Sequence, residues 1–240
     1  MKQRLDVLLV ARGLADSREK AQALVLAGEV MLDGQRARKP GHTVADDCRL
    51  EVLARPAHVS RGGLKLAHAL RQFRISVTGK VCLDVGASTG GFTDCLLQNG
   101  AAKVHAVDVG AGQLDWKIRT DARVAVHDGT NARYLRAEDI GERVDLAVCD
   151  VSFISVTMII PAIIPVLRDG GEMVILVKPQ FELERGEVGK GGIVRDAELH
   201  RKACRRVDLA VKELSFDTSV IESPILGAKG NHEFLLYAHH

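Results

Sequence analysis

With 240 residues, 46% of them hydrophobic, the chain can form one large domain or a large and a small one, each with a real core. The net charge of +2 hides an asymmetry: residues 1–62 carry eleven Lys/Arg against eight Asp/Glu, which favours a polyanionic partner for the amino-terminal part. The five cysteines (Cys48, Cys82, Cys95, Cys149 and Cys204) form no CxxC pair and are odd in number, which argues against a disulfide or zinc framework; reduced thiols in a cytoplasmic protein without metal are expected.

Asp6 and Arg12 bracket only five apolar residues, too few for a signal peptide. Leu5, Leu8 and Leu9 share one face of a helix over 4–12. Asp16 or Ser17 then caps a second helix, in which Ala21, Leu24 and Val25 repeat at helical spacing before Gly28 ends it. GEVMLDGQRARKPGHTVADDCRLEV reads as strand, Asp-Gly turn, basic segment and strand, with Arg36, Arg38 and Lys39 exposed near the turn. This order, with SREKAQALVLAGEVMLDG and the following KPG, resembles the RNA-binding domain named after ribosomal protein S-four. The resemblance implies that Arg12, Arg18 and Lys20 meet RNA phosphates, a contact that salt should weaken.

ARPAHVSRGG (54–63) breaks both periodicities, which divides the chain into a small α+β domain at 1–56, a linker at 57–63 and a larger domain at 64–240. The helix that opens the larger domain carries Lys65 at its start. Taken alone, Lys65 is a surface lysine on an amphipathic helix.

VCLDVGASTGGFTDCLL (81–97) is the centre of the larger domain and reads as strand, glycine loop and helix. Gly86, Gly90 and Gly91 permit positive φ and close approach by a ligand, and a helix starting near Gly91 or Phe92 turns its free N–H groups toward the loop. GASTGG lacks both the GxGxxG of a pyrophosphate site and the GxxxxGK[ST] of a triphosphate site. Asp84, just before the loop, favours a ligand carrying an ammonium group, as S-adenosylmethionine does. KVHAVDV ends its strand in Asp108, 24 positions further on, where a doubly wound sheet offers a carboxylate to ribose hydroxyls. A third strand ends in Asp128, placed to accept a bond from an adenine amino group. Ser88 joins Asp84, Gly86, Asp108 and Asp128 as expected cofactor contacts.

The apolar region 144–167 approaches membrane-spanning length, but Asp145, Asp150, Pro161 and Pro165 interrupt it, so it reads as strand, polar junction and helix, with no membrane partner. A fourth strand over 144–150 ends at Asp150 and a fifth over 172–178 ends at Lys178, so both residues face the carboxyl edge where an open α/β sheet carries its crevice. KPQFELERGEVGKGGIVRD reads as a mobile surface loop, and after a helix over 197–214 two strands form an antiparallel closing hairpin with Glu233 at the start of the last.

CDVSF after the fourth strand lacks the prolines that clamp a flat base for exocyclic-nitrogen methylation. Cys149, adjacent to an inward Asp150 in an alternating strand, points away from the site, which argues against a cysteine nucleophile. A ribose hydroxyl must instead lose its proton as the methyl group arrives, and a lysine can take it when its surroundings favour the neutral amine. Lys65, Asp150, Lys178 and Glu233 resemble in type and order the Lys-Asp-Lys-Glu tetrad of FtsJ-like ribose 2′-O-methyltransferases. Together with VSRGGLKL, CDVSFIS, LVKPQFE and NHEFL, nearly the whole chain resembles the TlyA (hemolysin A) family. That resemblance implies a Rossmann-like, doubly wound methyltransferase fold with a mostly parallel sheet, and a cytoplasmic enzyme that methylates cytidine ribose in ribosomal RNA. It also implies Lys178 as the base, Lys65 and Glu233 as residues that position it, Asp150 as a bridge to the cofactor, and Gly90, Phe92, Asp108 and Asp128 as contacts of S-adenosylmethionine. The rival readings are a membrane-active hemolysin and a non-catalytic RNA-binding assembly protein.

Overall fold

A computed structural model of the chain describes residues 2–53 and 57–240, and the chain divides into two compact units, 1–56 and 57–240. The first unit runs β1 (Lys2–Arg4), α1 (Leu5–Ala11), α2 (Arg18–Leu26), β2 (Val30–Leu32), β3 (Gln35–Arg36), β4 (Thr43–Ala45) and β5 (Leu50–Val52). Ser17 caps α2, its side chain accepting from the Lys20 N–H at 3.2 Å. Asp33 and Gly34 join β2 to β3 with φ of 48° and 82°, the paired positive values of a tight hairpin turn. Leu5, Leu9, Ala21 and Val25 bury the facing sides of the two helices with Val30. The sequence pattern gives no sign of β1, whose Lys2, Gln3 and Arg4 show no apolar alternation; pairing with β4 defines it.

The second unit contains α3 (Gly62–Gln72), β6 (Val81–Val85), α4 (Gly91–Gln98), β7 (Lys103–Asp108), α5 (Trp116–Arg119), β8 (Val124–Asp128), α6 (Ala137–Ile140) and β9 (Val144–Cys149). It continues with α7 (Ile160–Ile163), β10 (Leu167–Val177), α8 (Pro179–Glu182), α9 (Ala197–Lys212), β11 (Asp217–Glu222) and β12 (Phe234–His239). Seven strands form one sheet in the order β11-β12-β10-β9-β6-β7-β8. The five from β10 to β8 run parallel; β12 is antiparallel to β10 and to β11. Alternation along β6 sends Cys82 into a core shared with α3 and α4, and Leu83 and Val85 into the opposite core with α7 and α9. Strand order reverses between β6 and β9, and an open sheet forms its crevice at such a switch.

Three boundaries differ from the expectation drawn from sequence. β10 begins at Leu167, five residues early, with a register break before Glu172 at Gly170 and Gly171 that an alternation pattern hides. Pro179, which has no N–H to donate, follows Lys178 and starts α8. Of the break read at 54–63, residues 54–56 lie outside the described residues, and the rest belongs to the second unit. There the Val59 N–H donates to Asp94 Oδ2 at 2.9 Å, His58 is buried, and Gly62 and Gly63 already form the first turn of α3.

Candidate active site

The β6–α4 loop follows a path suited to glycine. Gly86 has φ 83°, and a Cβ there would run into the carbonyl oxygen of Asp150, so the end of β6 can lie against the end of β9 only without a side chain. Gly90 takes φ 92° at the N-cap of α4. Asp108 fastens this loop to the next one: Oδ2 accepts the Ser88 N–H at 2.8 Å and Oδ1 accepts the Gly110 N–H at 2.7 Å.

The loop separates two cavities. One of about 300 Å³ is lined by Ser60, Arg61, Lys65, Phe92 and Lys178 among others. The second, of about 470 Å³, is lined by Asp108, Gln113, Thr130, Asn131 and Phe153 among others. Gly86, Ser88, Asp150 and Ser152 border both, so the two adjoin at the sheet's switch point. Paired cavities with a carboxylate and backbone N–H groups on their shared wall fit an elongated, polar nucleoside such as S-adenosylmethionine.

The acids expected to contact the cofactor separate in space. Asp108 lines the second cavity. Asp84 lines neither; wholly buried beneath the loop, it accepts from Thr93 Oγ1 at 2.6 Å through Oδ2, while Oδ1 has no hydrogen-bond partner. Burial pushes its carboxyl up to about 7 against the opposing Thr93 bond. Asp128 also lines neither cavity: Oδ2 accepts from Arg119 at 2.8 Å and from the Gly112 N–H at 3.2 Å, and the Arg119 guanidinium holds the carboxyl below the ordinary range. Gly90 lies against Leu114 and Ile118 and shapes the loop from behind.

Lys65, Asp150, Lys178 and Glu233 come together as two ion pairs. Lys178 Nζ lies 2.6 Å from Asp150 Oδ1 and donates a hydrogen bond to Ser152 Oγ at 2.8 Å. Lys65 Nζ lies 2.5 Å from Glu233 Oε2. Both lysines line the first cavity although each is only 8% exposed, and a buried ammonium is tolerated only beside a carboxylate. Cys149 is 1% exposed within the core that faces α7 and α9, and burial raises its thiol, so it is no nucleophile. Ser60, Gln113, Asn131 and Ser152 also line the cavities and were not singled out from sequence, because loop positions carry no periodicity that marks them.

The segment read as a mobile loop is fastened at one end: Asn231 donates through Nδ2 to the Gly192 carbonyl at 2.8 Å and accepts the Val194 N–H at 2.9 Å. In the first unit, Arg12 and Arg18 bond internally. Arg12 donates to the carbonyls of Cys48 (2.7 Å) and Asp46, and Arg18 to Asp6 Oδ2 (3.1 Å). Lys20, Arg36, Arg38 and Lys39 are exposed, and the last three line a surface cleft with His42.

Residues 58–240 match the FtsJ-like methyltransferases and residues 3–47 the S4 domain. The 16S/23S rRNA (cytidine-2′-O)-methyltransferase TlyA of Mycobacterium tuberculosis is 48% identical over 98% of this chain and 88% of its own length. Hemolysin A of Brachyspira hyodysenteriae is 44% identical over 98% of both. A solved structure from Streptococcus thermophilus is 45% identical and superimposes with a TM-score of 0.76 over 99% of this chain and 88% of its own. Among the described residues no helix is long and apolar enough to cross a membrane. Sheet order, switch-point cavities and these matches agree: the chain belongs to the FtsJ-like methyltransferases and carries an S4 domain ahead of its catalytic unit.

Proposed function

We propose that this methyltransferase transfers a methyl group from S-adenosylmethionine to a ribose 2′-hydroxyl of ribosomal RNA, with cytidine as the acceptor nucleotide, as in the name of its Mycobacterium tuberculosis relative. The observation that carries the reading is Lys178 Nζ, held at 2.6 Å by Asp150 where the two cavities adjoin.

S-adenosylmethionine, when bound, supplies an electrophilic methyl group; Asp108 and the Gly86–Phe92 loop would hold it. Lys178 takes the proton from the ribose hydroxyl at Nζ as the oxygen–carbon bond forms, and Asp150 accepts an N–H of the resulting ammonium. Lys65, fixed by Glu233, directs the hydroxyl toward Lys178. Phe153, 91% exposed with φ 67° and tilted against Phe181 at 5.3 Å between ring centroids, offers a face on which the base next to that ribose stacks. Exposed Lys20, Arg36, Arg38 and Lys39 of the S4 domain provide the phosphate contacts. A cytoplasmic location follows from the substrate.

The test is transfer of labelled methyl from S-adenosylmethionine to ribosomal RNA, in free subunits and as naked RNA, followed by nucleoside analysis. Label on a 2′-O-methyl nucleoside is the expected result. Label on a base, or none with either substrate, rejects the reading in favour of base chemistry or of a non-catalytic assembly role.

A further inference from the structure

We infer that Ser152 is a positioning residue that fixes the direction of the Lys178 lone pair, a role that rests on Lys178 being the base. A neutral amine has two N–H groups and one lone pair, and an ammonium has three N–H groups. With Asp150 as sole partner, Nζ turns about the Cε–Nζ bond and sweeps its lone pair through a cone. Asp150 Oδ1 lies 2.6 Å from Nζ, an ion-pair distance, but outside hydrogen-bond geometry, whereas Ser152 Oγ accepts a hydrogen bond from Nζ at 2.8 Å. The Ser152 bond fixes rotation about Cε–Nζ, and the charge of the Asp150 carboxylate draws the other N–H of the neutral amine, which leaves the lone pair one direction. Lys178, Asp150 and Ser152 all line the first cavity.

The local structure holds Ser152 in place. Phe153 next to it takes a left-handed φ of 67°, which a bulky residue adopts only where its surroundings impose it. The brace is Glu182, 2% exposed, which accepts from Ser155 Oγ at 2.5 Å and from the Val156 N–H at 2.8 Å. Glu182 lies on α8, the helix that Lys178 caps, so the segments carrying the amine and its acceptor are bonded to each other. Phe181 against Phe153 adds an apolar contact across the same two segments.

The experiment compares full-length wild type, Ser152→Ala, Ser152→Thr, Lys178→Ala and the Ser152→Ala/Lys178→Ala double variant in single-turnover methylation of ribosomal RNA, with cofactor and RNA affinities measured separately. Loss of one hydrogen bond to a charged or reacting group predicts a roughly tenfold slower methyl-transfer step for Ser152→Ala, with both affinities unchanged. Ser152→Thr, which keeps the acceptor, should restore most of the rate. In the Lys178→Ala background, Ser152→Ala should change nothing further. A wild-type rate in Ser152→Ala, no rescue by Thr, or an equal loss in both backgrounds overturns the inference; a rate loss that follows RNA or cofactor affinity makes Ser152 a binding contact instead. The reading beneath it fails separately, through a Lys178→Ala enzyme that methylates at the wild-type rate.

Discussion

Lys65, in the first turn of α3, and Glu233, just ahead of β12, meet at 2.5 Å with side-chain exposures of 10% and 3%. Gly227 makes room for the carboxylate, since a Cβ there would collide with it. Elements distant in sequence are thus joined through a buried charge pair. Removing one partner leaves the other charge buried alone, at a cost of about 3–5 kcal/mol, whereas replacing both with apolar groups is often close to neutral. Glu233→Gln should therefore lower stability by about 3 kcal/mol, and Lys65→Met/Glu233→Met should recover most of it while remaining slow in methyl transfer. Denaturant titration of the single and double variants checks the pair; additive losses would mean that the two charges are not coupled.

For Lys178 the expected change is chemical. Lys178→Ala should slow the methyl-transfer step roughly 10²–10⁴-fold, the usual share of a positioned base, while cofactor and RNA binding survive. Lys178→Arg should restore little, because a guanidinium stays protonated at working pH. Single-turnover rates decide this: an Arg enzyme with near wild-type rate would move the base to another group.

Much of the candidate site's geometry was legible in the sequence because the parallel sheet sets it. Asp108, Asp150 and Lys178 each end or directly follow an apolar run, and strand ends at a switch point converge whatever the loops do. Lys65 and Glu233 were legible only by resemblance to a family order, since nothing local distinguishes Lys65 from a surface lysine. Asp84 and Asp128 show the limit of the strand-end argument. Both end the pattern as expected, yet Asp84 turns under the loop toward Thr93 and Asp128 toward Arg119, orientations that depend on neighbours contributed by α4 and α5. Ser152 was in plain view within CDVSF, but its role depends on where the Lys178 side chain ends, which no spacing reveals.

The buried Asp84 predicts a pH dependence of stability. Its carboxyl is raised from 3.8 to about 7 by burial, so the folded state holds the proton more tightly than the unfolded chain does. The resulting stabilisation is complete below the unfolded value and is lost as pH rises through about 7. At 1.36 kcal/mol per unit, the full shift corresponds to at most about 4 kcal/mol. Asp84→Asn, which cannot titrate, should be less sensitive than wild type to pH between about 4 and 7. Denaturant midpoints measured across that window check it, and parallel curves for the two proteins would remove Asp84 as the cause.

In the S4 domain the exposed basic residues differ in their partners: Arg12 and Arg18 also bond within the fold, and three others border a surface cleft. Arg36, Arg38 and Lys39 line the cleft, so changing all three to Gln should weaken RNA binding and flatten its dependence on salt by roughly one unit of slope for each phosphate that is no longer neutralised. Arg12→Ala should instead cost stability, about 0.5–1.5 kcal/mol, because the Asp46 and Cys48 carbonyls lose their donor. RNA titrations at several salt concentrations, alongside melting of the same variants, distinguish the two groups. An Arg12→Ala domain of unchanged stability with a reduced salt slope would return Arg12 to the RNA face.

Asp108 has the clearest structural claim to the cofactor. It lines the second cavity, and its two oxygens accept the Ser88 and Gly110 N–H groups, so it shapes both loops there. Asp108→Ala removes the carboxylate proposed to accept from a ribose hydroxyl and leaves two backbone donors without their partner, which should weaken S-adenosylmethionine binding by about 1–3 kcal/mol. Asp128→Ala acts at one remove, by releasing Arg119 and the Gly112 N–H, and should cost less. Calorimetric titration of S-adenosylmethionine into both folded variants measures the difference. Unchanged affinity in Asp108→Ala would take the ribose contact away from this strand end, and a larger loss in Asp128→Ala would place the adenosine toward β8.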